Sequence, residues 1–597
     1  MIVPMKRLTL LCLAAEREVT VDAVSELGVV HVVPSQPPEG ERLEAARAAL
    51  ARGERALSLL RLAVKHAPQQ ADAEVHLTAD EAVARATDLD AVRKERQERA
   101  EACERELSEY APFGEFEPAA VSRLAAAGLR VELGRAAAES RLSAPPGLLV
   151  RELGRDEHGV AFCVIGREPF ELDTLELGAP VSVTPLPERS LTDTRQLLAN
   201  ARGEAAEAEA ELAGLTPLTQ EVAAHVRELK DAARFATVRD GMGEGSTVAF
   251  LQGYVPADSA DDLRESAARH GWGVVFDDPE AHEPVPTLLR YRRWVKPVLT
   301  LFDFLRIYPG YREDDVGLMF LLFFSLFFGM LVGDCVYGLL LVAVALAVRA
   351  RFPRVPRHMV VMLIIVGAVT AGWGVLTGSY LGIKPLPGFL KALQIGWLKN
   401  RNNLIELTFL IGAIHLTLAH LWNIVEVRPR TKIIAQVGWI VVLWSMFLLA
   451  RTMVLGHPMP AFLPYSLLAG VACVALFMAT RQEFKRTWIN HALLPLTIIG
   501  NFVDVLSYVR LYAVGYASVA VIQSFNGMAS SIGWHNPLTA VIALLLLLFA
   551  HSLNLMLCAL AVLVHAVRLN TLEFSTHKGI SWQGFAFEPF HKASARS

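Results

Sequence analysis

The stretch VGLMFLLFFSLFFGMLVGDCVYGLLLVAVALAV, residues 316–348, decides the fold: it is apolar almost throughout, yet its middle carries Gly329, Gly333, Asp334 and Gly338. A bilayer core takes about 20 apolar helical residues, so a run this long has room for two short legs. Small residues at mid-run permit a tight helical hairpin or close helix packing. The basic linkers point the same way. Arg349, Arg351, Arg354 and Arg357 follow the run directly, and Arg428, Arg430 and Lys432, then Arg481, Lys485 and Arg486, form two further clusters. The positive-inside rule puts all three on the cytoplasmic side, which requires the first block to cross twice if the N-terminal half is cytoplasmic too.

Further apolar blocks follow at Met359 to Ile383, Leu404 to Val425, Ile433 to Leu455, Phe462 to Ala479, Ala492 to Phe525 and Leu538 to Val567. Eight spans are therefore expected, near 314–331, 335–350, 358–383, 404–425, 432–455, 462–480, 491–526 and 536–570, with the last two long and tilted and the C-terminus inside. One loop runs against this order. The expected outer segment from Lys384 to Asn403 carries Lys384, Lys391, Lys399 and Arg401.

Upstream, residues 1–300 contain no uninterrupted apolar run of spanning length and read as a cytoplasmic α+β domain. Lys6 and Arg7 followed by Leu8 to Ala15 imitate a short signal peptide. Met5 to Leu13 reads better as a buried strand, followed by an amphipathic helix through Val19, Val21, Val24 and Leu27 and a second strand at Val29 to Val33. Thr247 to Val255, a helix near Asp261 to His270 and Trp272 to Phe276 repeat that β-α-β pattern. The two patterns pair into a proximal lobe, 1–37 and 245–285.

Between them lie two heptad-like seams. Leu43, Ala46, Leu50, Gly53, Leu57, Leu60 and Val64 mark the first arm, 38–110; Leu191, Thr194, Leu198, Ala201, Ala205, Ala208, Leu212, Leu215, Val222, Val226 and Leu229 mark the returning arm, 188–240. Together they predict a long antiparallel coiled coil, which Pro217 should kink by removing a helix hydrogen bond. A distal lobe, 111–187, contains a hairpin in which Leu148 to Val150 and Val160 to Ile165 flank the turn Gly154-Arg155-Asp156-Glu157-His158-Gly159. The fold class is thus a mostly α membrane protein: two cytoplasmic lobes on a coiled coil, then an eight-span helical domain at 301–597.

Composition excludes several functions. The chain is 53% hydrophobic and 20% charged with a net charge of −4, and no basic stripe interleaved with aromatics argues for nucleic acid. The cysteines Cys12, Cys103, Cys163, Cys335, Cys473 and Cys558 never fall at metal-ligand or redox spacing, so neither a metal nor a cofactor is expected. The phosphate-cradling G-x-x-x-x-G-K-[ST] loop is absent, and so is any catalytic constellation.

Chemistry concentrates in the last two spans. One contains Asp504-Val-Leu-Ser507-Tyr508-Val-Arg510-Leu-Tyr512-Ala-Val-Gly515-Tyr516-Ala517; the other contains His551-Ser552-Leu-Asn554 and then His565-Ala-Val-Arg568-Leu-Asn570-Thr-Leu-Glu573-Phe574. A charge at mid-bilayer costs about 2.5–3.5 kcal/mol on insertion scales, so Arg510 needs a partner or a water-filled cavity. The bland alternatives are a structural ion pair with an acid such as Asp504, and, for Arg568, snorkelling to the interface.

These motifs, together with Gly329 to Gly338 and the terminal Glu588-Pro589-Phe590, closely resemble subunit a of V-type ATPases, called subunit I in archaeal-type and bacterial V/A-type enzymes. Gly253-Tyr254-Val255-Pro256 and Pro286-Thr287-Leu288 add looser support. The resemblance covers essentially the whole chain. It implies a stator whose Arg510 and Arg568 face a rotor ring of proteolipid subunits, with E/G-type peripheral-stalk heterodimers, a d/C-type central-stalk subunit and a soluble ATPase head as the other partners. Where some eukaryotic relatives carry a glutamate ahead of the second arginine, this chain has Cys558.

In that setting a rotor carboxylate crosses lipid only when neutralised by a proton or sodium ion, and a fixed guanidinium within a few ångströms lowers its pKa by about 1–3 units, releasing the ion. Arginine suits the post because it stays protonated. His551, Asn554 and His565 are candidate half-channel lining, with Asp504, Ser507 and Glu573 as second choices, and guanidinium groups locked in ion pairs within the chain would undo the assignment. A self-sufficient secondary transporter with a cytoplasmic regulatory domain is the main rival; it predicts inverted repeats, and none is visible. A purely structural tether gives no reason for Arg510.

Overall fold

The computed structural model describes residues 1–66, 76–137, 142–156, 159–167, 170, 172, 180–383, 385–480, 483–534 and 536–592. Glu157 and His158 of the distal turn, Lys384 of the outer loop and Arg481 of the third basic linker lie outside them.

The N-terminal half begins with β1 (Met5–Leu13), α1 (Arg17–Leu27) and β2 (His31–Val33). Alternation along β1 buries Leu8, Leu10 and Cys12 and turns Leu11 and Leu13 outward, so the run that imitates a signal peptide is a strand with one core face. Next come α2 (Glu41–His66), α3 (Ala79–Tyr110), α4 (Pro118–Ala126), β3 (Arg130–Ala136), β4 (Leu148–Asp156), β5 (Gly159–Gly166) and β6 (Val181–Thr184). The return consists of α5 (Leu191–Gly214), α6 (Thr219–Asp240), β7 (Gly243–Glu244), β8 (Val248–Pro256), α7 (Ala260–His270) and β9 (Gly273–Asp277).

Two sheets result. The first has the order β2-β8-β1-β9, with β7 added to β8, so each β-α-β unit is split by a strand of the other. α1 and α7 cover it through Val21, Val24, Leu263 and Ala267. The second, β4-β5-β3-β6, contains the expected hairpin as the antiparallel pair β4 and β5.

Between the sheets, α2 lies along α6 and α3 along α5. Gly53 meets Val226 and Leu229, while Arg96 pairs with Glu204 at 2.7 Å and Arg202 with Glu104 at 2.5 Å, so both pairs run antiparallel. The outward arm is therefore two helices that overlap where Leu57, Leu60, Val83 and Leu89 share a core with Leu212, Leu215 and Val222. Val64, expected in the seam, is exposed, because the seam passes to α3 there. At Pro217 a 3-10 turn, Thr216–Leu218, separates α5 from α6. Asp90, buried in this bundle, is held by Arg55 of α2 at 2.7 Å and by Arg93 and Lys94 of its own helix at 2.8 and 3.1 Å.

The C-terminal half contains α8 (Leu299–Leu305), α9 (Gly317–Val332), α10 (Cys335–Arg351), α11 (Arg357–Thr377), α12 (Gly388–Leu393), α13 (Arg401–Glu426), α14 (Lys432–Leu455), α15 (Leu463–Phe477) and α16 (Phe484–Ala492). It ends with α17 (Leu494–Ser507), α18 (Val509–Ile532), α19 (Pro537–Ala561), two π-helical stretches at Val562–Ala566 and Leu569–Phe574, and α20 (Ser575–Lys578). Among the described residues, five segments are long and apolar enough to cross a membrane: α11, α13, α14, the run 494–532 and the run 537–578. α9 and α15 are apolar but shorter.

The decisive block breaks at Gly333, which ends α9 with φ +66°, and Asp334, which caps α10. Asp334 is buried and saturated: it accepts from Val336 N at 2.9 Å, Ser379 Oγ at 2.9 Å and Leu381 N at 2.6 Å. Both legs pack on α11, where a Cβ on Gly329 would press on Val369 and Thr370 and one on Gly338 would meet the backbone of Ala371 and Gly367. The C-terminal tail returns to the first sheet. Phe590 N donates to Val30 O at 2.8 Å, Glu588 N to His31 Nδ1 at 3.0 Å, and Phe587 N to Thr287 O at 3.1 Å.

Candidate ion-translocation site

α17 and α18 meet at Tyr508, which puts Arg510 in the first turn of α18. Arg568 lies between the two π-helical stretches of the last segment. That local geometry matters for what Arg568 can touch. In a regular α-helix, residues five apart diverge by about 140° around the axis, whereas a π turn closes at the fifth residue. Glu573, five residues on, thereby reaches both cations: its Oε1 lies 3.4 Å from Arg568 Nε and 3.3 Å from Arg510 Nη2.

Both arginines thus pair within the chain, through Glu573 rather than Asp504, but they share a single oxygen at 3.3 and 3.4 Å and stay partly exposed, so neither is locked. The pairing is lopsided. Glu573 is 3% exposed, Arg510 24% and Arg568 52%, so one buried carboxylate anchors two cations that both reach the surface. With all three ionised the group carries one net positive charge. Glu573 Oε2, Asn570 Oδ1 and His565 Nδ1 are buried without a hydrogen-bond partner among the described residues. Behind this group His415 is fully buried, its Nδ1 2.8 Å from Tyr508 Oη and its ring stacked between Phe323 and Phe574.

The other expected residues separate into distinct places. Ser507 is buried at the end of α17. His551 Nδ1 lies 2.8 Å from Tyr337 Oη of α10, and Asn554 Oδ1 accepts from Ser518 Oγ of α18 at 2.9 Å with Cys558 beside it. The 14 residues from Asn554 to Arg568 put these polar contacts roughly 20 Å along the helix from the arginines. A cavity of about 860 Å³ opens between α18 and the segment joining α11 to α13, lined by Trp373, Lys391, Gln394, Lys399, Tyr512 and Tyr516.

At the opposite end, towards the N-terminal sheets, the structure gathers around the expected Asp504 residues that sequence reasoning missed, His577, His420 and Gln436. Asp504 Oδ2 lies 3.2 Å from His577 Nε2, His577 Nδ1 2.9 Å from His420 Nε2, and His420 Nδ1 2.8 Å from Gln436 Oε1. Lys578, nearly buried, sits between Asp314 and Glu426. The available signal was the presence of two histidines, His415 and His420, inside one apolar block.

No protein-family model matches the chain. It is 30% identical over 640 aligned positions to V-type ATP synthase subunit I 1 of Treponema pallidum (strain Nichols), covering 99% of this chain and 100% of that protein. V-type ATP synthase subunit I of Borreliella burgdorferi is 32% identical over 368 positions, 58% of this chain and 60% of that one. A-type ATP synthase subunit I of Methanocaldococcus jannaschii is 26% identical over 397 positions, 58% and 56% of the two chains. A solved structure of the cytoplasmic N-terminal domain of subunit I, homolog of subunit a, of V-ATPase matches at 17% identity and a TM-score of 0.19, over 45% of this chain and 99% of that one.

Proposed function

This chain belongs to the subunit I family of V-type and A-type ATP synthases, and from that premise we propose that its C-terminal half is the stator through which ions reach and leave the rotor ring. The chain is a component of a rotary ATPase, whose ATP chemistry resides in other subunits.

The observation that carries the proposal is the charge imbalance around Glu573. Two guanidiniums share one carboxylate oxygen, and the surplus charge reaches the surface at Arg568, 52% exposed, at the end of a segment whose apolar stretch is largely uncovered, only 22% of that window being buried within the chain against 50% for α13. A surface that is apolar apart from an unneutralised arginine suits a ring of helices carrying neutral carboxyl groups. When one arrives, the surplus charge favours its ionised form and the ion leaves; the charge also blocks direct passage between the two sides. His565 beside Arg568, Ser507 and Asp504 before Arg510, and His551 with Asn554 further along α19 are polar stations for two aqueous half-channels, one on each side of the arginines. The cavity at Tyr512 and Tyr516 supports an opening on the outer side.

In this proposal α9, α10 and α15 join the five longer segments to make eight spans, and the N-terminal half is cytoplasmic. Its paired helices act as a coiled-coil strut kinked at Pro217, with the lobes at its two ends bound to the peripheral stalks and resisting torque. The decisive test is Arg510→Ala in the complete complex reconstituted into vesicles. Assembly with the rotor ring is expected to persist while ATP-driven ion transport is lost; normal transport by that variant would sink the proposal.

A further inference from the structure

The contacts running from Asp504 to Gln436 define a proton inventory. Gln436 Oε1 only accepts, so His420 must carry its proton on Nδ1 and, being neutral, accept at Nε2. His577 Nδ1 then donates to it at 2.9 Å. A neutral His577 would now present a bare Nε2 to an ionised Asp504 only 3.2 Å away, lone pair against lone pair. The arrangement is satisfied by one additional proton, on His577 Nε2 or on Asp504.

Without that proton the bare His577 Nε2 faces the ionised Asp504, and a buried polar group left without a partner is costly, so the row draws one proton back from its open end. The distances of 2.8–3.2 Å are direct contacts, with no space between the groups for a metal ion.

The surroundings favour Asp504 as the opening. Its side chain is 27% exposed, whereas that of His577 is 6% exposed and His420 is buried. The titratable groups facing the row are Glu573, Arg510 and His415 on the side of the arginines, and Lys578 on the other, its charge taken up by Asp314 and Glu426.

We propose that Asp504, His577 and His420 form a proton store that opens at Asp504 and exchanges one proton with passing rotor carboxyl groups, on the side of Arg510 nearest the N-terminal sheets. The proton moves from water to the Asp504 carboxylate and on to His577 Nε2. On return the Nε2–H bond breaks, Asp504 is reprotonated, and the proton passes to an ionised rotor carboxylate, restoring the starting charges. A sodium ion has no place in this row, so the store serves proton coupling.

This rests on the ion-translocating role proposed above, and the experiment separates the two. The complete complex in vesicles is assayed for ATP-driven acidification with a pH-sensitive dye, for His577→Gln, Asp504→Asn and Gln436→Leu, with Arg510→Ala in parallel and assembly read by co-purification of the rotor ring. His577→Gln and Asp504→Asn are expected to slow acidification about a hundredfold, the low end of the loss from a missing proton-transfer group, and added imidazole should restore much of the His577→Gln rate. Gln436→Leu, the mildest change, should slow acidification two- to threefold if His577→Gln fails to assemble. Wild-type rates in the assembled variants, or losses that imidazole does not relieve, overturn the store. Normal acidification by Arg510→Ala would instead overturn the role on which it rests.

Discussion

Asp90 in the helical arms and Glu573 in the last membrane segment are both buried carboxylates gripped by more than one cation, yet they are built to opposite ends. Asp90 receives Arg55, Arg93 and Lys94 at 2.7–3.1 Å and engages both of its oxygens. Burial pushes its carboxyl up, but the hydrogen bonds from Arg93, Arg55 and Lys94 outweigh this and hold it at about 2. Glu573 uses one oxygen for both arginines at 3.3 and 3.4 Å and leaves the other without a partner. A closed cluster fixes α2 against α3. A slack one leaves positive charge uncompensated at the surface, at the cost of leaving a buried oxygen unpaired.

The sharpest way to break the comparison is Glu573→Gln. A slack counter-ion, once removed, leaves the arginines more positive, so the rotor carboxylate is held ionised and regains its ion slowly. ATP-driven transport should fall about tenfold, the equivalent of roughly one pKa unit, while the complex stays assembled. Loss of assembly would make Glu573 an anchor of the Asp90 kind, and unchanged transport would make it idle.

Asp90→Asn should be smaller and purely structural. Because Arg55 and Lys94 are half exposed, solvent screening limits the loss to about 1–2 kcal/mol of local stability, read as faster amide hydrogen exchange in α3 with transport unaltered. The sign with pH follows from the lowered value. Asp90's contribution is fully present above the unfolded carboxyl value near about 4 and is lost as pH falls through about 2. The smallest effect expected is that of salt: raising ionic strength from about 0.1 to 1 M should loosen α2 against α3 by a few tenths of a kcal/mol, because Arg55 and Lys94 are half exposed and their share of the pairing is screened.

The same contrast explains what could be read in advance. Apolar block lengths and the basic linkers separated the apolar C-terminal half from the N-terminal half, and a guanidinium inside an apolar helix stood out by its cost. The role of Glu573 did not stand out, because regular helical phase turns it away from Arg568 and only the π-helical stretches bring it round. His420, Gln436 and His577 come from three segments, and no local pattern joins residues 157 positions apart. The two β-α-β patterns were legible one by one, but their interleaving depends on pairing across more than 200 intervening residues.

The backbone bond between Phe590 and Val30 has a bearing on how the chain is made. The first sheet emerges early in synthesis, yet one of its neighbours arrives only after the last membrane helix has been inserted. A product cut short would therefore leave Phe590's seat beside Val30 vacant and the rim of that sheet bare, a visible flaw that quality control could recognise before the subunit is built into the machine.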